Sequence, residues 1–186
     1  MNFNFNAKLD FYRKTTFQVS FIPPTVETDG DRTYVKRAGV ALLSFVPHDD
    51  AGKRLWKETV YFALSAKEAA SFVANPEVEF VHANQDKTSV KNLKITPYVK
   101  DDVLKGYGLY VNMTNNGTQS KASGYLSATR SANELALVQA TIALALPYLS
   151  GFMGVEGIPA ITIDQAAVTA VSDNERSQIT DDDVPF

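Results

Sequence analysis

The sequence predicts an α+β fold in which four short strands and a helix are followed by four more strands and a second helix. Three observations carry that expectation. Short runs rich in β-branched and aromatic residues, broken by turn residues, fill most of the chain up to Ser127. Two Ser-x-x-Glu patterns, Ser65–Glu68 and Ser131–Glu134, each precede an apolar run and read as capping boxes. Asn115-Asn116-Gly117 lies between two alternating segments and reads as a hairpin, because Asn and Gly accept positive φ at little cost.

The first strand is expected at Thr15–Pro23, where Phe17, Val19 and Phe21 alternate with Thr16, Gln18 and Ser20. Turns at Thr28-Asp29-Gly30-Asp31, Ala38-Gly39 and His48-Asp49-Asp50-Ala51-Gly52 separate it from Arg32–Arg37, Val40–Val46 and Trp56–Ala63. The first helix opens at Ser65 and stops at Asn75-Pro76. Strands Val78–His82, Val90–Pro97, Tyr107–Met113 and Lys121–Ala128 come next, and Glu134–Leu149 is the second helix. The architecture is duplicated, although the halves show no convincing identity. Leu135, Leu137, Val138, Ile142, Leu144 and Leu146, with four alanines among them, leave the second helix almost no polar face. A helix apolar all round is buried on every side. A domain this small rarely manages that alone, so a subunit interface is expected; the alternative is a helix sandwiched within one monomer.

With 186 residues, 45% of them hydrophobic, the chain can bury one substantial core plus appendages. It has no cysteine, which excludes disulfides, thiolate metal sites and a cysteine nucleophile. Neither the Asn- and Phe-alternating start nor the run 135–149 is long and apolar enough to read as a signal peptide or membrane span. Charge is uneven. Residues 1–150 carry 17 Lys and Arg against 14 Asp and Glu, whereas 151–186 carry one Arg against seven acids. A mildly basic body (1–152) followed by an acidic, flexible linker and tail (153–186) is therefore expected.

Period-two reading gives five strands an apolar side and a second side of Lys, Tyr, Thr and Asn. Lysines neutralise phosphates and release counterions, while tyrosine rings stack on splayed-out bases whatever their identity. The candidate phosphate contacts are Lys14, Lys36, Lys57, Lys94 and Lys121. The candidate stacking rings are Tyr61, Tyr110 and Tyr125. Trp56 shares a side with Val60 and Phe62, so burial is its expected place, with base stacking as the alternative. An ordinary solvated sheet face has similar residues and is the competing explanation.

The ending Asp181-Asp182-Asp183-Val184-Pro185-Phe186 resembles the C-terminal tip of bacterial single-stranded DNA-binding proteins, which dock it on replication and recombination proteins. The linker lacks that family's Gly/Pro/Gln richness. The body is not similar to their single barrel. Tyr34–Pro47, Leu55–Ser65, Glu79-Phe80-Val81-His82, Leu93-Lys94-Ile95-Thr96-Pro97 and Leu146–Phe152 form an ordered series that resembles the Whirly family and its kinetoplastid RNA-binding relatives, over residues 12–152. Where plant members carry Lys-Gly-Lys-Ala-Ala-Leu, this chain has Tyr12-Arg13-Lys14-Thr15-Thr16-Phe17.

The resemblance implies two packed four-stranded antiparallel sheets, with the helices gathered at the centre of a homotetramer. Single strands would lie along the edges of these blade-like sheets, bases held between the sheets of neighbouring subunits. The expected function is a non-catalytic, largely sequence-independent single-stranded DNA-binding protein that needs no cofactor. It would act in replication, recombination or repair in a bacterial or phage-infected cytoplasm. A Whirly-type transcription regulator and an RNA-annealing protein are the alternatives. Enzymatic readings are weak: His48-Asp49-Asp50 is at most a metal half-site, and Gly106-Tyr107-Gly108 is too short for a phosphate loop.

Overall fold

The computed structural model describes residues 8–30 and 32–150. The expected linker and the Asp181–Phe186 tail lie outside the described residues. Ten strands and two helices follow one another: β1 (Lys8–Tyr12), β2 (Thr15–Ile22), β3 (Thr25–Asp29), β4 (Arg32–Arg37), β5 (Val40–Pro47), β6 (Val60–Ser65), α1 (Ala66–Ala74), β7 (Glu79–Ala83), β8 (Ser89–Lys100), β9 (Val103–Asn115), β10 (Thr118–Ser127) and α2 (Glu134–Leu149). They build the expected α+β fold of two four-stranded antiparallel sheets and two helices. The first sheet has the order β1-β2-β5-β6 and the second β10-β9-β8-β7, while β3 and β4 pair as a separate ribbon.

Alternation decides how the sheets pack. The rows Leu9–Val19–Leu43–Phe62 and Phe11–Phe17–Phe45–Val60 run across one face of the first sheet, and all eight side chains are buried. In the second sheet Leu93–Val111–Ala122 and Ile95–Leu109–Gly124 share a face. These faces meet. A Cβ on Gly124 would lie 3.1 Å from the Phe45 ring, and Phe62 stacks on His82 with centroids 4.5 Å apart. Each fully buried Phe of this seam contributes roughly 1.5–3 kcal/mol relative to exposure.

The first four-stranded sheet differs from expectation in membership. Arg32–Arg37 is not part of it; Lys8–Tyr12 is, with Leu9 and Phe11 supplying a short alternation. Pro23-Pro24 and Ala38-Gly39 interrupt the β2–β5 hairpin, since proline offers no N–H to the ladder, and the outer part continues as the β3–β4 ribbon. Trp56–Glu58 is a 3-10 turn, so β6 begins only at Val60. The β8–β9 hairpin runs past Pro97 and Tyr107 because Asp101 and Asp102 adopt φ of 54° and 57° and close a tight turn. Asn116-Gly117 closes β9–β10 as expected, with φ of 48° and 81°.

α1 has its capping box: the Ser65 hydroxyl accepts from the Glu68 N–H, and the Glu68 carboxylate accepts from the Ser65 N–H at 2.9 Å. The second box does not form. Asn133 caps α2 by accepting from the Ala136 N–H, because the Glu134 carboxylate is engaged by Arg13 and by the Ser127 N–H, both at 2.9 Å. The helices pack on each other. Gln139 donates to the carbonyls of Phe72 and Val73 in the last turn of α1. α2 buries Leu135, Val138, Ile142, Ala145 and Leu149 within the chain, while Ala136, Ala140, Ala143, Leu144 and Pro147 are exposed. Contacts inside one chain thus cover only one side of this apolar helix.

Candidate nucleic-acid interface

The outer face of the second sheet, turned away from the core, brings three expected residues together. Cross-strand register sets Glu79, Lys94, Tyr110 and Ser123 in one row, and Val81, Asn92, Asn112 and Lys121 in the next. Lys94, Tyr110 and Lys121 line a depression of about 610 Å³ together with Glu79, Asn92, Asn112 and Ser123. Lys94 and Lys121 are exposed and Tyr110 is half-buried. Glycine sets the pose of the tyrosine. A Cβ on Gly108 would come within 2.7–2.9 Å of the Tyr110 ring and hydroxyl, so the tyrosine lies down along the sheet over Gly108. Burial pushes its hydroxyl pKa up.

Tyr125 is on the same face but differs from its expected role. It is only 8% exposed, rests over Gly106, and meets Tyr98 edge-on at 6.1 Å. Burial first, with the nearby Glu134 charge second, pushes its hydroxyl up to about 12. A ring so enclosed presents no open π-face to a base. Gly124, Tyr125, Leu126 and Ser127 are all buried, so both faces of this end of β10 are covered, which period-two reading could not register.

The other expected residues lie apart from this depression. Tyr61 ends the row Asp10–Gln18–Ser44–Tyr61 on the outer face of the first sheet and is exposed. Lys57 is exposed in the 3-10 turn and Lys14 in the β1–β2 turn. Lys36 belongs to the β3–β4 ribbon, paired with Glu27. Trp56 is also a correction: it is 49% exposed instead of buried. Alternation from Val60 does not extend back through a 3-10 turn, so its apparent core phase was accidental. Lys8 and Arg54 sit over its ring at 5.6 and 5.7 Å, and Arg54 also covers Tyr12 at 4.6 Å. The loop after β5 therefore folds back across this face. Beneath it Thr16, Gln18 and Ser44 are buried, Thr16 bonded to His48 and Gln18 to Asp10.

His48 and Asp49 serve that loop. Asp49 accepts from the backbone N–H groups of Ala51 and Lys53. Among the described residues no group of three His, Cys, Asp or Glu is placed to hold a metal ion, and no helix is long and apolar enough to cross a membrane.

The model of one family, the Whirly transcription factors, matches residues 11–141. The chain belongs to the Whirly family. Its fold is similar to WHY1 from Arabidopsis thaliana, with a TM-score of 0.69 and 22% identity over 80% of this chain and 93% of that one. WHY3 from the same plant gives 0.68 and 18%, covering 93% and 98%. The plant transcriptional regulator PBF-2 gives 0.66 and 20%, covering 92% of each. At these identities the likeness is one of fold. No curated protein sequence matches the chain. In this Whirly-family chain the basic pair at the β1–β2 turn is divided: Arg13 is held by Glu134 at 2.9 Å, and only Lys14 is exposed.

Proposed function

We propose that this Whirly-family chain binds single-stranded DNA in a largely sequence-tolerant way and protects it during replication, recombination or repair. The convergence of Lys94, Tyr110 and Lys121 in one depression carries this reading. Two ammonium groups flanking a ring that lies flat suit a strand whose phosphates meet lysine and whose bases stack. The work needs no catalytic group or cofactor. Lys14, Lys57, Tyr61 and Trp56 would hold the strand on a second face, and Lys36 would meet it at the ribbon.

Self-association is part of the proposal. The exposed Ala136, Ala140, Ala143, Leu144 and Pro147 are a continuous apolar stripe with no charge, which suits packing against copies of itself in a homotetramer. Such packing would bring the two outer faces of different subunits near each other. Asp181, Asp182, Asp183, Val184, Pro185 and Phe186 would recruit replication or recombination proteins, Phe186 filling an apolar pocket and the acids meeting a basic rim. This tip is what suits a bacterial or phage system.

Anisotropy of a labelled oligo-dT of about 30 nucleotides across a salt series tests the binding half. Tight, salt-sensitive binding that single-stranded DNA competes away better than duplex or RNA supports it. Lys94→Ala should then lower the salt slope by about 0.7. No binding at any salt overturns the reading. Light scattering tests assembly: the native chain should show four times the monomer mass and Leu144→Glu a lower one. The family's description and the likeness to PBF-2 favour a second reading, a transcription regulator. Its mark would be strong preference for one DNA sequence.

A further inference from the structure

One residue in the depression is wrong for a surface that only holds phosphates. Glu79 is exposed on the edge strand β7, directly opposite Lys94 and in the same row as Tyr110 and Ser123. Its Oε1 accepts from Asn92 Nδ2 at 2.5 Å, which fixes the carboxylate against the wall between the lysines and the sheet edge. A carboxylate there repels a sugar-phosphate backbone. A base edge, set beside the flat Tyr110 ring, suits the position against Glu79 better than a phosphate does.

We propose that Glu79 makes this groove selective for bases carrying an amino group on their Watson–Crick edge, guanine above all. The inference rests on the single-strand-binding reading of the same groove. An ionised carboxylate only accepts hydrogen bonds. Guanine offers it two parallel donors, N1–H and the N2 amino group, in the fork geometry that suits a carboxylate. Cytosine and adenine offer one amino group each. Thymine offers a single N3–H between two carbonyl oxygens, and both oxygens face the negative charge. Splayed single strands expose these edges. Lysine and tyrosine contacts would still hold any sequence, so the selectivity is a bias laid over sequence-tolerant binding. Asn92 holds one carboxylate oxygen through its Nδ2 and leaves the other for the base.

The test uses the full chain and three oligonucleotides of equal length: all thymine, thymine with isolated guanines, and the same with inosine in place of each guanine. Inosine lacks only the N2 amino group. The native protein should bind the guanine strand about 5- to 10-fold more tightly than the other two, the range of a carboxylate contact worth roughly 1 kcal/mol or slightly more. Glu79→Gln should bring the three affinities within about 2-fold and tighten binding to the all-thymine strand, since a negative charge leaves the groove. Equal affinities in the native protein, or a preference unchanged in Glu79→Gln, overturn the inference while leaving single-strand binding standing. Failure of the native protein to bind any of the three overturns the binding reading itself.

Discussion

The outer faces of the two sheets have the same kind of sequence and different fates. Both alternate apolar residues with Lys, Tyr, Thr and Asn or Gln. On the second sheet the polar side remains open: its tyrosine lies over Gly108, its lysines are exposed, and a depression forms between them. On the first sheet the loop after β5 returns across the polar side. His48 bonds to the buried Thr16, and Arg54 and Trp56 of this loop lie against Tyr12 and Lys8 of β1. The lesson is that the same alternation leaves a polar strand face open or partly covered, depending on where a loop of the chain returns. A covering loop can also carry its own aromatic outward, as it does with Trp56.

The largest loss of affinity is expected from changes on the open face. Tyr110→Ala should weaken binding to single-stranded DNA by about 1–3 kcal/mol, the value of one stacked base. The matching change Trp56→Ala should cost less, because its ring is already shared with two cations. Titrations of both variants against the same oligonucleotide check this. A larger loss for Trp56 would move the principal contact to the first sheet.

Gly108→Ala sharpens the same point from beneath. Its Cβ would lie 2.7 Å from the Tyr110 hydroxyl and close to the ring, so the tyrosine must lift from the sheet. Overpacking of this kind costs about 1–3 kcal/mol of stability. Thermal unfolding should show that loss, and binding should fall with it. Wild-type stability in Gly108→Ala would mean that the ring moves freely and the flat floor is unimportant.

The smallest expected effect concerns the seam that holds the two faces apart. His82 stacks on Phe62 and bonds to Glu68 Oε1 at 2.7 Å, joining β7 to α1. Burial works to raise the Glu68 pKa, but hydrogen bonds from His82 and Ser65 outweigh it and lower it below 4.5. A carboxylate with a lowered folded pKa stabilises the protein above its unfolded value, and that contribution disappears as pH falls through the folded one. Glu68→Gln should therefore destabilise at pH 7 by less than about 1 kcal/mol, given its partial exposure to solvent. The difference from wild type should shrink below pH 4.5, which chemical denaturation at pH 7 and pH 3 would measure.

Much of the fold was legible in the sequence because it is local. Capping chemistry at Ser65 and Glu68, the Asn116-Gly117 turn, and the phase of Phe17, Val19 and Phe21 act over a few residues and appear where expected. The shared face of Lys94, Tyr110 and Lys121 followed from period two once the register was in place. The resemblance supplied the two packed sheets. What alternation missed is instructive. Trp56 lost its phase in a 3-10 turn, and Tyr125 is enclosed on the outer face near the end of β10. Glu134 was drawn from its expected cap by Arg13, a residue 121 positions away.

By itself, the sequence determined the alternation along most of the sheet strands, where the helices begin, and that the chain carries a mildly basic body with an acidic end. These follow from backbone periodicity and short-range hydrogen bonding, which need no knowledge of the rest of the molecule. Only the tertiary structure decided which polar face stays open, which tyrosine is enclosed, and that Glu79 stands among the lysines. Those outcomes depend on register between strands and on a loop crossing a sheet, contacts between residues far apart in the chain that no local pattern encodes.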